Sequence, residues 1–283
     1  MTRTKNLVTA DWLAAHLSDP DLVVADCRFD LAQPQAGRQA YTEAHIPGAV
    51  YFDLERDLSA PKQAHGGRHP LPPVETFCRT VSAAGIDETV MVVAYDAQNM
   101  AMAARLWWML RYLGHARVRV LGGGWPAWWA AGHPVTQDVP RRAPRAFTPC
   151  IRARSAVDLA ELRRLQKAGA RLVDSRVPER YRGEVEPLDP VAGHIPGAVN
   201  LPYTDTLDAR GDLRSPADLR DRFAGIAAGR GDLVVYCGSG VTACVNLLAM
   251  EEAGIAGARL YVGGWSDWCS YPENPVATAK KSS

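Results

Sequence analysis

The chain has few cysteines. Six of them lie scattered along 283 residues, at positions 27, 78, 150, 237, 244 and 269, and none forms a Cys-x-x-Cys pair. That pattern excludes a disulfide framework and a zinc ribbon. The seven histidines are not grouped with cysteine or aspartate at ligand spacing, so neither a metal nor a cofactor is expected. Charge of one sign is also lacking. The formal net charge is +1, which gives no reason to expect nucleic acid or an anionic membrane as partner. No apolar run approaches the roughly 20 residues that span a bilayer. No apolar segment follows Met1–Asn6, and the expected location is cytoplasmic.

What is present is enough for a core, at 47% hydrophobic residues, and it is arranged as a repeat. Val24-Ala-Asp26-Cys-Arg28 returns as Leu172-Val-Asp174-Ser-Arg176. Ala44-His-Ile-Pro-Gly-Ala-Val50 returns as Gly193-His-Ile-Pro-Gly-Ala-Val199. Val93-Ala-Tyr-Asp96 returns as Val234-Val-Tyr236-Cys237, and Gly123-Gly-Trp125-Pro-Ala-Trp128 as Gly263-Gly-Trp265-Ser-Asp-Trp268. The spacing from His45 to Asp96 exceeds that from His194 to Cys237 by eight residues.

Each half alternates strand and helix signals, which implies an α/β fold with mainly parallel sheets covered by helices on both faces. In the first half, Thr9 caps a helix through His16. Strands are expected over 22–27, 50–52, 90–95 and 118–121, with helices over 73–84 and 101–113. In the second, Ser155 is read as the cap of a helix that carries Asp158 in its first turn and ends at Gly169. Ser215-Pro216 starts another, with Leu219 and Phe223 on one face. Residues 132–145, with three prolines and three arginines, read as a semi-rigid, solvated connector, and the tail 279–283 as disordered.

The chemistry centres on Leu233-Val-Val-Tyr-Cys237-Gly-Ser-Gly-Val-Thr242. A buried strand runs into Cys237, a tight loop follows, and from about Thr242 the apolar residues Val245, Leu248 and Ala249 recur at helical spacing up to Gly254. Backbone N–H groups of such a loop, with the first N–H groups of the helix, converge on one sulfur and favour its thiolate. Gly238 and Gly240 let the backbone curl around it. Cys27 and Cys244 lack this setting and read as small buried hydrophobes.

This loop resembles the active-site loop of the rhodanese superfamily, and its Gly-Ser-Gly-Val-Thr form is closer to the 3-mercaptopyruvate sulfurtransferases than to the thiosulfate enzymes. The resemblance covers nearly the whole chain. It implies two tandem rhodanese-like domains, a non-catalytic one over 1–140 and a catalytic one over 153–283, with 141–152 as linker. It further implies that Cys237 accepts sulfur as a persulfide. Gly238, Gly240, Val241 and Thr242 would cradle the substrate, and Arg180 would bind an anionic sulfur donor. Ser239 and His69, the latter in Arg68-His-Pro-Leu-Pro72, would move a proton, with Glu55 or Asp57 as the acid behind the histidine. The implied acceptor is cyanide, a thiol or a thioredoxin-like protein. One departure stands out: Leu188 follows Glu186-Pro187 where the 3-mercaptopyruvate enzymes carry a second arginine. Losing one partly exposed charge contact costs of order 1–2 kcal/mol, roughly tenfold in KM.

Other readings are weaker. A cysteine phosphatase or arsenate reductase also seats its thiolate before a helix, but a phosphatase needs Cys-x5-Arg, and Ala243 stands six positions after Cys237. A thiosulfate:cyanide sulfurtransferase, or a non-catalytic sulfur-relay or binding module, remains as an alternative. At the matching position the first half carries Asp96, which cannot act as a thiolate. His45 and His194 recur in both halves and read as turn residues bonded to backbone; Arg28 and Arg176 recur too and read as partners of Asp26 and Asp174. The tryptophans at 107, 108, 125, 128 and 129 read as packing.

Overall fold

The computed structural model describes residues 6–97 and 99–278, so the expectations for the first residues and for the tail 279–283 lie outside the described residues. The chain forms two compact units: one holds the residues up to Ala60, Leu71–Arg152 and Leu207–Leu213, the other Pro61–Pro70, Ala153–Thr206 and the residues from Arg214 onward.

The first unit runs β1 (Leu7–Val8), α1 (Ala10–His16), β2 (Leu22–Asp26), α2 (Ala36–Glu43), β3 (Ala49–Tyr51), α3 (Val74–Ala83), β4 (Met91–Tyr95), α4 (Ala101–Tyr112), β5 (Val118–Leu121) and α5 (Gly124–Ala130). Its strands pair in parallel in the order β1-β5-β4-β2-β3. Thr9 caps α1 by accepting the Trp12 N–H at 3.1 Å. The two inner apolar runs, β2 and β4, pair along their whole lengths, as expected for strands covered on both faces. Val24, Val93, Tyr95 and Trp128 share one core cluster.

The second unit repeats this plan with β6 (Ala156–Val157), α6 (Leu159–Lys167), β7 (Arg171–Asp174), α7 (Pro178–Arg182), β8 (Ala198–Asn200), α8 (Pro216–Ala227), β9 (Leu233–Tyr236), α9 (Ala243–Glu252), β10 (Arg259–Tyr261) and α10 (Gly264–Trp268). The parallel order β6-β10-β9-β7-β8 is that of the first sheet, repeat for repeat. Ser215 caps α8, with Pro216 in its first turn and Leu219 and Phe223 buried, as the pattern predicts.

Three expectations need correction. Ser155 does not cap α6: it ends a 3-10 turn, Ala156–Val157 pairs with β10, and Asp158 is the cap, accepting the Glu161 N–H at 2.8 Å. Pairing with β10 takes the residues that the helix would have used. The strand expected over 50–52 lies at Ala49–Tyr51, set by its register with β2. The connector over 132–145 is tied to the first unit rather than simply solvated. Thr136 bridges to His45, Arg142 bonds the Leu22 carbonyl, and Arg145 pairs with Asp21 and Asp87.

The repeated polar residues are structural. Arg28 forks onto Asp26, and Arg176 forks onto Asp174. His45 and His194 each place Nδ1 2.7 Å from a backbone carbonyl, of Tyr41 and Tyr181 respectively. Cys27 and Cys244 are buried. Trp107, Trp108 and Trp128 are buried and Trp125 lies under the Arg28 guanidinium, but Trp129 is 60% exposed and packs into no core.

Candidate active site

β9 ends at Tyr236, and Cys237 follows it directly, buried, with α9 beginning at Ala243 behind Thr242. The residues between, Gly238, Ser239, Gly240 and Val241, are buried too. Gly240 has φ +73°, a left-handed turn that glycine makes without strain. α10 anchors this loop from one side: the Trp265 N–H donates to the Cys237 carbonyl at 2.8 Å and the Ser266 N–H to the Gly238 carbonyl at 2.9 Å. Gly264, at φ +62°, permits that approach, since a Cβ there would lie 2.7 Å from the Cys237 carbonyl oxygen.

The first unit shows what this kind of seat accepts. Asp96 follows β4 as Cys237 follows β9, and its carboxylate takes the N–H groups of Met102 and Ala103 at the start of α4, at 2.8 and 2.9 Å. A carboxylate therefore occupies the helix-start position in the half that has no cysteine at the place matching Cys237.

Pro61–Pro70 packs into the second unit although it comes from the first half of the sequence. The Gly66 N–H donates to Asp267 at 2.7 Å, the Arg68 N–H to Ser266 Oγ at 3.0 Å, and His65 stacks on Tyr271 and lies 2.8 Å from Ser270 Oγ. These partners sit on or just after α10. Gly67 fits closely as well, as a Cβ there would be 2.3 Å from the Gly263 carbonyl oxygen. So fastened, the segment sets His69 Nδ1 2.7 Å from Ser239 Oγ, both side chains buried. With the ring protonated on Nε2, the hydroxyl donates to Nδ1.

The cations stand beside the loop. Arg180, in the last turn of α7, forks onto Glu186 at 2.7–3.1 Å and reaches Asp189 at 3.5 Å. Arg68 pairs with the other oxygen of Asp189. Arg176 reaches Glu186 at 3.2 Å, so the chain of charges runs Asp174, Arg176, Glu186, Arg180, Asp189, Arg68. Burial alone would raise the pKa of Glu186; the hydrogen bond and charge of Arg180, the Leu188 N–H and Arg176 outweigh it and hold that carboxyl below its usual value. A methyl group placed on Gly238 would come 2.7 Å from Arg68 Nη2 and 3.5 Å from both terminal nitrogens of Arg180.

Of the residues singled out from sequence, Cys237, Gly238, Ser239, Gly240, Val241, Thr242, Arg180 and His69 all lie in the second unit. Leu188 is exposed, its N–H bonded to Glu186. Glu55 and Asp57 lie in the first unit, Glu55 exposed and Asp57 accepting the Asp53 N–H at 2.8 Å. Sequence reading missed Arg68, Asp189 and the Ser266–Asp267 anchor. The last had a signal: Ser266-Asp267 stands where the first half has Pro126-Ala127.

A family model for the Rhodanese-like domain matches residues 9–131 and again 158–271. The chain is 48% identical over 277 residues to a Pseudomonas aeruginosa protein named "Probable 3-mercaptopyruvate sulfurtransferase", covering 96% of this chain and 98% of that one. It is 36% identical over 292 residues to the thiosulfate sulfurtransferase of Cricetulus griseus, covering 97% and 96%. Among solved structures, SseA from Escherichia coli, described as having the rhodanese fold, superposes with a TM-score of 0.81 at 34% identity, covering 93% of this chain and 100% of that one.

Proposed function

The chain belongs to the rhodanese family and is a sulfurtransferase, and from that premise we propose that 3-mercaptopyruvate is its donor and Cys237 its sulfur carrier. The observation that carries this reading is the 2.7 Å contact of His69 with Ser239, inside the loop that follows Cys237. The two donors differ in their need for a proton. Thiosulfate gives up its outer sulfur to a thiolate and leaves as sulfite, with no proton to move. The mercaptopyruvate thiol must lose its proton, and the carbon that loses sulfur must gain one.

The steps balance as follows. The Cys237 thiolate attacks the donor sulfur, forming the S–S bond as the C–S bond breaks. The pair from that bond leaves as the enolate of pyruvate. The proton from the donor thiol passes through Ser239 and His69 to the enolate carbon, giving pyruvate and the Cys237 persulfide anion. Loop and helix-start N–H groups suit that anion, as those of α4 suit the Asp96 carboxylate. The persulfide then yields its outer sulfur to cyanide, a thiol or a thioredoxin-like protein, and the thiolate returns. Gly238, Gly240, Val241 and Thr242 form the cradle, and Arg180 binds the donor carboxylate. Residues 1–140 serve as the non-catalytic domain and 153–283 as the catalytic one, joined by 141–152, with Pro61–Pro70 contributed to the catalytic unit. We place the protein in the cytoplasm, a reducing compartment that suits its six free cysteines. Among the described residues no helix is long and apolar enough to cross a membrane.

Side-by-side kinetics with the two donors tests the choice. The expected result is a higher kcat/KM for 3-mercaptopyruvate, with Ser239→Ala and His69→Ala each lowering its turnover by about 10²-fold or more and thiosulfate turnover far less. A clear preference for thiosulfate overturns the donor and leaves the persulfide standing.

A further inference from the structure

Residues 61–70 reach Ser239 without a helix or strand of their own, so whatever fixes their path fixes His69. The first four, Pro61 to Ala64, are exposed, and among the described residues they make no hydrogen bond or ion pair. Gly66 and Gly67 follow at φ +94° and +87°, a left-handed pair that adds no stiffness of its own. His65 stands between the untied stretch and the glycines, and it is the first fixed point on the way to His69. Its ring stacks on that of Tyr271, with centroids 4.0 Å apart and planes within 15° of parallel. Its Nδ1 lies 2.8 Å from Ser270 Oγ. The Ser270 hydroxyl donates to the Asp267 carbonyl at 2.7 Å, so its oxygen accepts and His65 Nδ1 carries the proton. Tyr271 is held in turn. The Arg163 guanidinium stands 5.6 Å from its ring centroid, and Arg163 is bonded to Glu273 and Asn274, each at 3.0 Å.

We propose that the stack of His65 on Tyr271 is a clasp that positions His69 against Ser239, and that it thereby helps to set the choice of sulfur donor. Only Gly66, Gly67 and Arg68 lie between the two histidines. The N–H groups of Gly66 and Arg68 are bonded to Asp267 and Ser266, which fixes where the segment crosses α10. Without the stack, the glycine pair is free to turn about those bonds, and the ring of His69 turns with it. A proton passes between His69 and Ser239 only at hydrogen-bond distance, so a small displacement costs rate. His65 acts through His69 and is a positioning residue. Its effect on donor choice rests on the proton-transfer reading above; the clasp itself rests on the geometry.

The test compares the full-length wild type with His65→Ala, His65→Phe and Tyr271→Leu. It measures kcat and KM with 3-mercaptopyruvate and with thiosulfate, and the ¹⁵N resonances of the His69 ring, assigned by their loss in His69→Gln. His65→Ala is expected to lower kcat for 3-mercaptopyruvate about tenfold, the effect of one ring stack and one hydrogen bond. Its KM, and its turnover of thiosulfate, should stay within about twofold of wild type. His65→Phe keeps the stack and should recover most of the loss. Tyr271→Leu keeps His65 and removes its platform, so it should repeat the loss. The His69 nitrogens, distinct in the wild type as acceptor Nδ1 and protonated Nε2, should move toward each other in His65→Ala. His65 is exposed, so its variants keep the test open if Tyr271→Leu fails to fold. A folded His65→Ala with an unchanged kcat for 3-mercaptopyruvate overturns the proposal. So do equal losses with both donors, a change confined to KM, or a His65→Phe variant as slow as His65→Ala. If the wild type uses thiosulfate and ignores 3-mercaptopyruvate, the donor reading fails by itself. The His69 spectrum then decides: converging nitrogens in His65→Ala uphold the clasp, and an unchanged spectrum overturns it.

Discussion

Arg176 and Arg180 lie four positions apart and do different work. Arg176 is buried, its fork filled by Asp174 and its Nη2 also bonded to the Gly193 carbonyl. Arg180 is 15% exposed, with Nε and Nη2 bonded to Glu186. Arg180→Ala is expected to raise KM for the anionic donor by roughly tenfold with little loss of folded protein. Arg176→Ala strands the buried Asp174 and is expected to cost about 3–5 kcal/mol of stability. Steady-state kinetics and denaturant melts of both variants check this; a rise in KM confined to a well-folded Arg176→Ala would reverse the two assignments. At this scale much was legible. The repeat of Arg28 as Arg176 already marks that arginine as scaffold, and no such repeat exists for Arg180. Arg68 was not legible, because nothing in its neighbours says where the segment carrying it will lie.

That segment, residues 61–70, has no helix or strand of its own and takes its shape from α10. Asp267 holds it by accepting the Gly66 N–H with one oxygen and the Tyr261 hydroxyl with the other, both at 2.7 Å. Asp267→Ala is expected to cost about 1–3 kcal/mol, from the buried donors left unpaired. It should also lower 3-mercaptopyruvate turnover more than thiosulfate turnover, since His69 loosens with the segment; equal losses with both donors would detach the anchor from the proton step. Lengths of strands and helices were readable from apolar periodicity, whereas β6 and the start of α6 were not, since a two-residue strand has no period and Ser155 and Asp158 are both good caps. The loop at 186–189 carries a pH dependence. The carboxyl of Glu186 is held below its usual 4.5, so its contribution to stability is full above that value and is lost as pH falls through the folded value. Melting temperature of the wild type should therefore drop on acidification below about pH 4.5 more steeply than that of Glu186→Gln. Parallel curves would contradict the assignment.

Over the whole molecule, one plan is used twice with two outcomes. Both sheets share a strand order, both carry a buried Asp–Arg pair, and both bring a residue to the start of a helix after the fourth strand. In the first unit that residue is Asp96, a fixed anion; in the second it is Cys237, which becomes an anion only as thiolate or persulfide. The repeat and the fold class were readable from four matched blocks. The transfer of Pro61–Pro70 to the second unit was foreshadowed only by the eight extra residues before Asp96. The central claim is that Cys237 carries the sulfur. Intact-mass spectrometry of the full chain after treatment with 3-mercaptopyruvate or thiosulfate measures it directly. The expected spectrum shows one added sulfur atom, removed by cyanide and absent from Cys237→Ser; an unmodified wild type under both donors, or a Cys237→Ser variant that still gains and transfers sulfur, would contradict it.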